Sequence, residues 1–143
     1  MVTLLTPPMH FEIAADGANL SAVRDWSRQI FAARFPQAPE AEGHAFVLAV
    51  HEAVRNVIDH AYDGWGGVVR VEATPGERSL IVRLTHRGRS FDGAAPPPDF
   101  DGSRDRGLGL FLMECGLTRV RYRTLDDGCQ QVELVKELEE EKQ

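Results

Sequence analysis

The chain predicts a single α+β domain. Three observations carry that reading: segments with helical apolar spacing, pairs of alternating apolar runs joined by short turn sequences, and a length of 143 residues that suits one core. Hydrophobic residues make up 43% of the sequence, enough to build that core without metals or disulfides. The two cysteines, Cys115 and Cys129, show no CxxC spacing, which fits a reducing cytoplasm and suggests neither a zinc site nor a disulfide framework. A net charge of -6 disfavours broad nucleic-acid binding. MVTLLTPPMH lacks a basic n-region and is broken by Pro7 and Pro8, and no segment approaches membrane-spanning length. The expectation is a cytoplasmic protein with no membrane contact.

In chain order, HFEIA alternates Phe11 and Ile13 with polar neighbours and reads as a first strand. Asn19 offers an N-cap to a helix carrying Leu20, Val23, Trp26, Ile30 and Phe31, which Pro36 and Pro39 end. A second helix is expected from Ala41 to Tyr62, stopped by DGWGG at 63–67. GVVRVEA and SLIVRLT read as a hairpin turning through Thr74-Pro75-Gly76-Glu77.

From Gly93 to Arg106 the chain is rich in Gly, Pro, Asp and Arg and reads as a mobile loop. GLGLFLMEC starts a third helix that Gly116 can cap, packed by Leu108, Leu110 and Leu112. RVRYRT and CQQVELV then pair across Asp126-Asp127-Gly128, with Arg119, Arg121 and Arg123 on a solvated strand face. The domain is expected to span 1–136, leaving 137–143 as a polar tail. No internal repeat is evident, and His10 and His44 read as surface residues.

The second helix poses the functional question. At about 100° per residue, Val47, Val50, Val54, Val57, Ile58 and Ala61 gather on one side, while Glu52, Asn56 and His60 fall within an arc of about 80° opposite them. Such an arc ordinarily faces water. Solvent faces, however, are filled with Lys, Glu, Arg and Gln, whereas this one carries a carboxylate, an amide and an imidazole, groups used in proton transfer, metal coordination and phosphate contact. Further on, RGLGL at 106–110 opens a helix whose free N–H groups and positive dipole end attract phosphate.

Taken in order, Glu52-x-x-x-Asn56-x-x-x-His60-Ala61-Tyr62, then SFDG, then GLGLFLM, these motifs resemble those of the GHKL, or histidine kinase-like, ATPase fold. Within it the chain is most similar to the anti-sigma factor serine/threonine-protein kinases, over nearly its whole length. The resemblance implies a two-layer α/β sandwich of the GHKL (Bergerat) type, a mixed, mostly antiparallel sheet backed by helices. It also implies ATP and Mg²⁺ as cofactors, with Asn56 as the metal ligand and Glu52 as general base toward an acceptor serine. His60, His86, Gly88, Arg104, Arg106, Gly107, Leu108 and Gly109 would complete the nucleotide site.

The stretch matching the family's first glycine box, D-x-G-x-G, reads His86-Arg87-Gly88-Arg89-Ser90. A histidine therefore stands where an aspartate accepts from the adenine amino group, and only a neutral imidazole can accept there. The implied function is an anti-sigma regulatory factor that sequesters a sigma factor and phosphorylates a STAS-domain anti-anti-sigma antagonist. A homodimer is a further implied assembly, and direct nucleic-acid contact is not implied. The alternative is a nucleotide-weak or inactive binding module acting only through protein contacts. A detached histidine-kinase catalytic domain is disfavoured, because no dimerisation helix pair with a phosphoacceptor histidine precedes the fold.

Overall fold

The computed structural model describes residues 8–61, 67–88 and 112–138. Strand β1, His10–Ala14, leads into a 3₁₀ turn at Gly17–Asn19, capped where Asp16 Oδ1 accepts from the Ala18 N–H at 2.9 Å. Asp16, rather than the expected Asn19, is thus the capping residue. Asn19 already has helical dihedrals and makes no side-chain cap bond; its Nδ2 donates instead to the Ala14 carbonyl at 2.9 Å.

Helix α1 is Leu20–Arg34 and α2 is Glu40–Asn56, the latter starting with Glu40 and Glu42 at its positive dipole end. The continuous helix expected to Tyr62 stops being α-helical at Asn56, and Val57–Ala61 form a π-helical turn. Val57 and Ile58, 4% and 1% exposed, are both in the core, on the side where a regular helix would already place them. Tyr62 lies outside the described residues.

Strands β2, Val68–Pro75, β3, Ser79–His86, β4, Arg119–Thr124, and β5, Gln130–Glu137, join β1 in one sheet of order β1-β2-β3-β5-β4. All four described ladders are antiparallel. Register places Leu84 between Val71 and Val132, so one face is apolar and packs under α1 and α2 through Trp26, Phe31, Phe46, Val50 and Val54. The other face carries polar rows such as Glu72, Arg83, Glu133 and Arg121. As expected, Arg119, Arg121 and Arg123 are exposed while Val120 and Tyr122 turn inward, packed against the core.

The β2–β3 turn sits two residues later than the sequence suggests. Pro75 is still paired with Leu80, and Gly76 N–H closes on the Ser79 carbonyl at 2.9 Å. Arg34, ending α1, holds this turn through three carbonyls, those of Ser79, Gly76 and Glu77, at 2.8 to 2.9 Å. The β4–β5 turn is the expected one: Gly128 adopts φ 89°, a conformation that favours glycine, and Asp127 Oδ1 accepts from the Cys129 N–H at 3.0 Å.

The short helix α3 covers residues 112–116 of the described chain. Gly116, expected as a cap, ends this helix but has a different role. A Cβ there would stand 2.1 Å from the Ala45 carbonyl oxygen and 2.7 Å from Ala49 Cβ, so glycine is what lets α3 lie on α2. On the helix-facing side of the sheet, Lys136 Nζ donates to Glu42 Oε1 at 2.7 Å, joining β5 to the first turn of α2. The predicted loop at 93–106 and the residues from 139 onward lie outside the described chain.

Candidate functional site

Two elements meet at the predicted site. Helix α2 supplies Glu52 and Asn56, one turn apart and therefore on one face. The ordinary reading of that face as water-exposed does not hold for its first member: Glu52 is only 8% exposed, and Asn56 is half-buried. A carboxylate is rarely placed there without use, because desolvating its charge is costly. Asn56 Nδ2 lies 3.7 Å from Met113 Sδ, which fixes the amide against α3. That contact brings the two predicted motif segments, the α2 stripe and the helix following the glycines, to one place. His60 is half-buried in the π turn, so its bearing relative to Asn56 differs from the i+4 alignment that a continuous α-helix would give.

Charged neighbours surround Glu52. Arg55 Nε stands 3.8 Å from Glu52 Oε2 and 3.7 Å from Asp59 Oδ2. His51 Nδ1 lies 3.1 Å from Arg24 Nη1. Burial pushes the His51 pKa below 6.5, and the nearby Arg24 and Arg55 cations add to this against the opposing pull of Glu52. The ring is thus neutral and accepts from the guanidinium.

His86 ends β3 on the helix-facing side of the sheet, in the row of Val82 and Leu84, and is 3% exposed. Its Nδ1 accepts from the Gly88 N–H at 3.2 Å, and burial lowers its pKa, so the proton of the neutral ring sits on Nε2. This bears on the expected contact with adenine. In this tautomer the accepting nitrogen is engaged by the chain's own backbone, and accepting from an amino group would require Nδ1 to leave Gly88. Arg104, Arg106, Gly107, Leu108 and Gly109 lie outside the described residues.

Arg55, Asp59 and Met113 were missed by sequence reasoning. The first two were within reach, since both fall at helical spacing from Glu52; Met113 was not, because only the packing of α3 on α2 selects it.

The model of the histidine kinase-like ATPase domain family matches residues 13–136. The chain belongs to this family. The serine-protein kinase RsbW of Halalkalibacterium halodurans is 33% identical over 88 residues, which are 53% of this chain and 52% of that protein. The anti-sigma F factor of Clostridium acetobutylicum is 31% identical over 85 residues, 54% of this chain and 57% of that protein. The chain thus spans little more than half the length of the curated relatives it matches. Among solved structures, the histidine kinase domain from the Erythrobacter litoralis EL346 blue-light activated histidine kinase aligns with a TM-score of 0.53 at 18% identity, covering 88% of this chain and 62% of that one. At that identity the likeness is one of fold. Among the described residues, no helix is long and apolar enough to cross a membrane, and no three His, Cys, Asp or Glu side chains converge on a metal-sized site.

Proposed function

We propose that this histidine kinase-like ATPase domain acts as an anti-sigma regulatory factor with ATP-dependent protein-serine kinase activity. The observation that carries this reading is the buried carboxylate of Glu52 one turn before Asn56, with the Asn56 amide set against Met113 of α3. The names of the two relatives, a serine-protein kinase and an anti-sigma factor, support it.

The donor set fits Mg·ATP. With Nδ2 directed at Met113, the oxygen of the Asn56 amide is the atom left to ligate a metal. Mg²⁺ takes few protein ligands and completes its octahedron with water and phosphate oxygens, so one amide oxygen beside a nucleotide is sufficient. ATP supplies the γ-phosphoryl group. With Mg·ATP bound, Glu52 would accept the proton of the acceptor serine hydroxyl as its oxygen bonds to the γ-phosphorus and the bond from that phosphorus to the β,γ-bridging oxygen breaks, ADP leaving, while Asn56 would help to hold the nucleotide in place. Gly88, two residues past the end of β3, together with Arg104, Arg106, Gly107, Leu108, Gly109 and His60 of the π turn, belongs to the nucleotide side of this proposal.

The acceptor is a serine on a STAS-domain antagonist, and the sequestered partner is a sigma factor. A second reading, a binding module with weak nucleotide affinity, is favoured by one observation, the engagement of His86 Nδ1 by Gly88. Incubation of the protein with γ-labelled ATP, Mg²⁺ and a STAS-domain protein that co-purifies with it separates the two. Labelled phosphoserine in wild type, and its loss in Glu52→Gln, supports the kinase; complex formation with no label transfer supports the binding module.

A further inference from the structure

The Nε atom of Arg55 is the buried side-chain nitrogen or oxygen that, among the described residues, has no hydrogen-bond partner. A lost hydrogen bond at a buried charged donor is costly, so its place asks for an explanation. The side chain is not remote from acceptors. It lies between two carboxylates at nearly equal range, Glu52 Oε2 at 3.8 Å and Asp59 Oδ2 at 3.7 Å, each just beyond bonding distance. The exposed pairs Arg70–Glu12 and His44–Glu40 stand at similar range, 3.7 and 3.8 Å, but water can complete their bonding, whereas the Arg55 Nε is closed off from it.

The two carboxylates differ in environment. The Glu52 side chain is 11% exposed and the Asp59 side chain 49%. Glu52 has little access to water, and among the described residues Arg55 is the cation within 4 Å of it; Asp59 can move freely into solvent. We infer that Arg55 and Asp59 are positioning residues for Glu52: Arg55 balances the buried charge, while Asp59 draws the guanidinium back so that the Glu52 oxygens stay open to an incoming hydroxyl. Asp59 belongs to the π turn, whose altered winding sets where its carboxylate falls relative to Arg55. A guanidinium bonded squarely to Glu52 would occupy the lone pairs a general base needs.

This inference rests on Glu52 being the base of the proposed phosphoryl transfer, so its test has two arms. In the kinetic arm, Asp59→Asn removes the pull on Arg55, and kcat falls by about tenfold, the worth of one hydrogen bond to a charged group, with KM for ATP unchanged. Arg55→Gln added to Asp59→Asn restores part of kcat, an interaction that independent surface changes would not show. In the structural arm, the Arg55 Nε–H signal in ¹⁵N NMR shifts and its solvent exchange slows in Asp59→Asn, as the group bonds to Glu52.

Wild-type kcat in Asp59→Asn, or an Arg55 Nε–H signal that does not move, overturns the inference. Should Glu52→Gln transfer phosphate as well as wild type, the kinase reading falls instead. The Nε–H signal then still decides whether Asp59 holds Arg55 off Glu52.

Discussion

Asn56 and Met113 touch across the two helices that frame the candidate site, Nδ2 to Sδ at 3.7 Å. Met113 is 3% exposed, so it also serves the core. Met113→Ala should cost about 2 to 5 kcal/mol in urea denaturation. Met113→Leu, which nearly conserves volume, should cost less than about 1.5 kcal/mol. If the sulfur orients the Asn56 amide, Met113→Leu weakens Mg²⁺-dependent ATP binding out of proportion to its small effect on stability.

Gly116 tests the seating of α3 on α2. Because the colliding atom in Gly116→Ala is a backbone carbonyl oxygen, that of Ala45, the clash cannot be relieved by turning a side chain. A loss of about 1 to 3 kcal/mol is expected in urea denaturation, as for overpacking of a core. Wild-type stability in Gly116→Ala would show that α3 does not approach α2 so closely.

The Lys136–Glu42 bond ties the sheet to the start of α2. Lys136 is buried, but the Glu42 side chain is 39% exposed and can return to water when its partner is lost. Lys136→Met should therefore cost about 1 to 3 kcal/mol in denaturant titration, toward the range for a charged hydrogen bond and short of a fully buried pair.

Much of the fold was legible because period and turn chemistry are local properties. The alternation of RVRYRT, the turn at Asp127 and Gly128, and the apolar side of α2 all follow from neighbouring residues and reappear in the structure. What escaped depends on contacts between distant segments. Asn19 lost its expected capping role to Asp16 because the chain enters α1 through a 3₁₀ turn. The π turn after Asn56 left no mark in the spacing, which puts Val57 and Ile58 on the core side whether the winding is α or π. Glu52 and Asn56 were found from their four-residue interval, yet the burial of Glu52 and the place of Arg55 between two carboxylates needed the packed structure.

The lowered pKa values of His51 and His86 give a pH signature. Unfolded chains bind protons at these rings near pH 6.5, whereas the folded protein resists doing so. The stability they contribute is therefore present above pH 6.5 and is lost as pH falls through the lowered folded values. Urea midpoints measured from about pH 7.5 down to about 5.5 should decline below the ordinary histidine range. His86→Gln should flatten part of that decline. An unchanged slope in this variant would show that His86 is not held neutral by the fold.

The central claim is that α2 carries a nucleotide site built on Asn56 and Glu52, and calorimetric titration with Mg·ATP tests it most directly. Wild type is expected to bind one Mg·ATP, Glu52→Gln to bind it with nearly the same affinity, and Asn56→Ala to lose about tenfold or more, the effect of removing one ligand or bond to a charged group. The Asn56→Ala loss should largely vanish when EDTA replaces Mg²⁺, because the missing contact is to the metal. Equal affinities in wild type and Asn56→Ala, or no binding by wild type at millimolar ATP, would contradict the account.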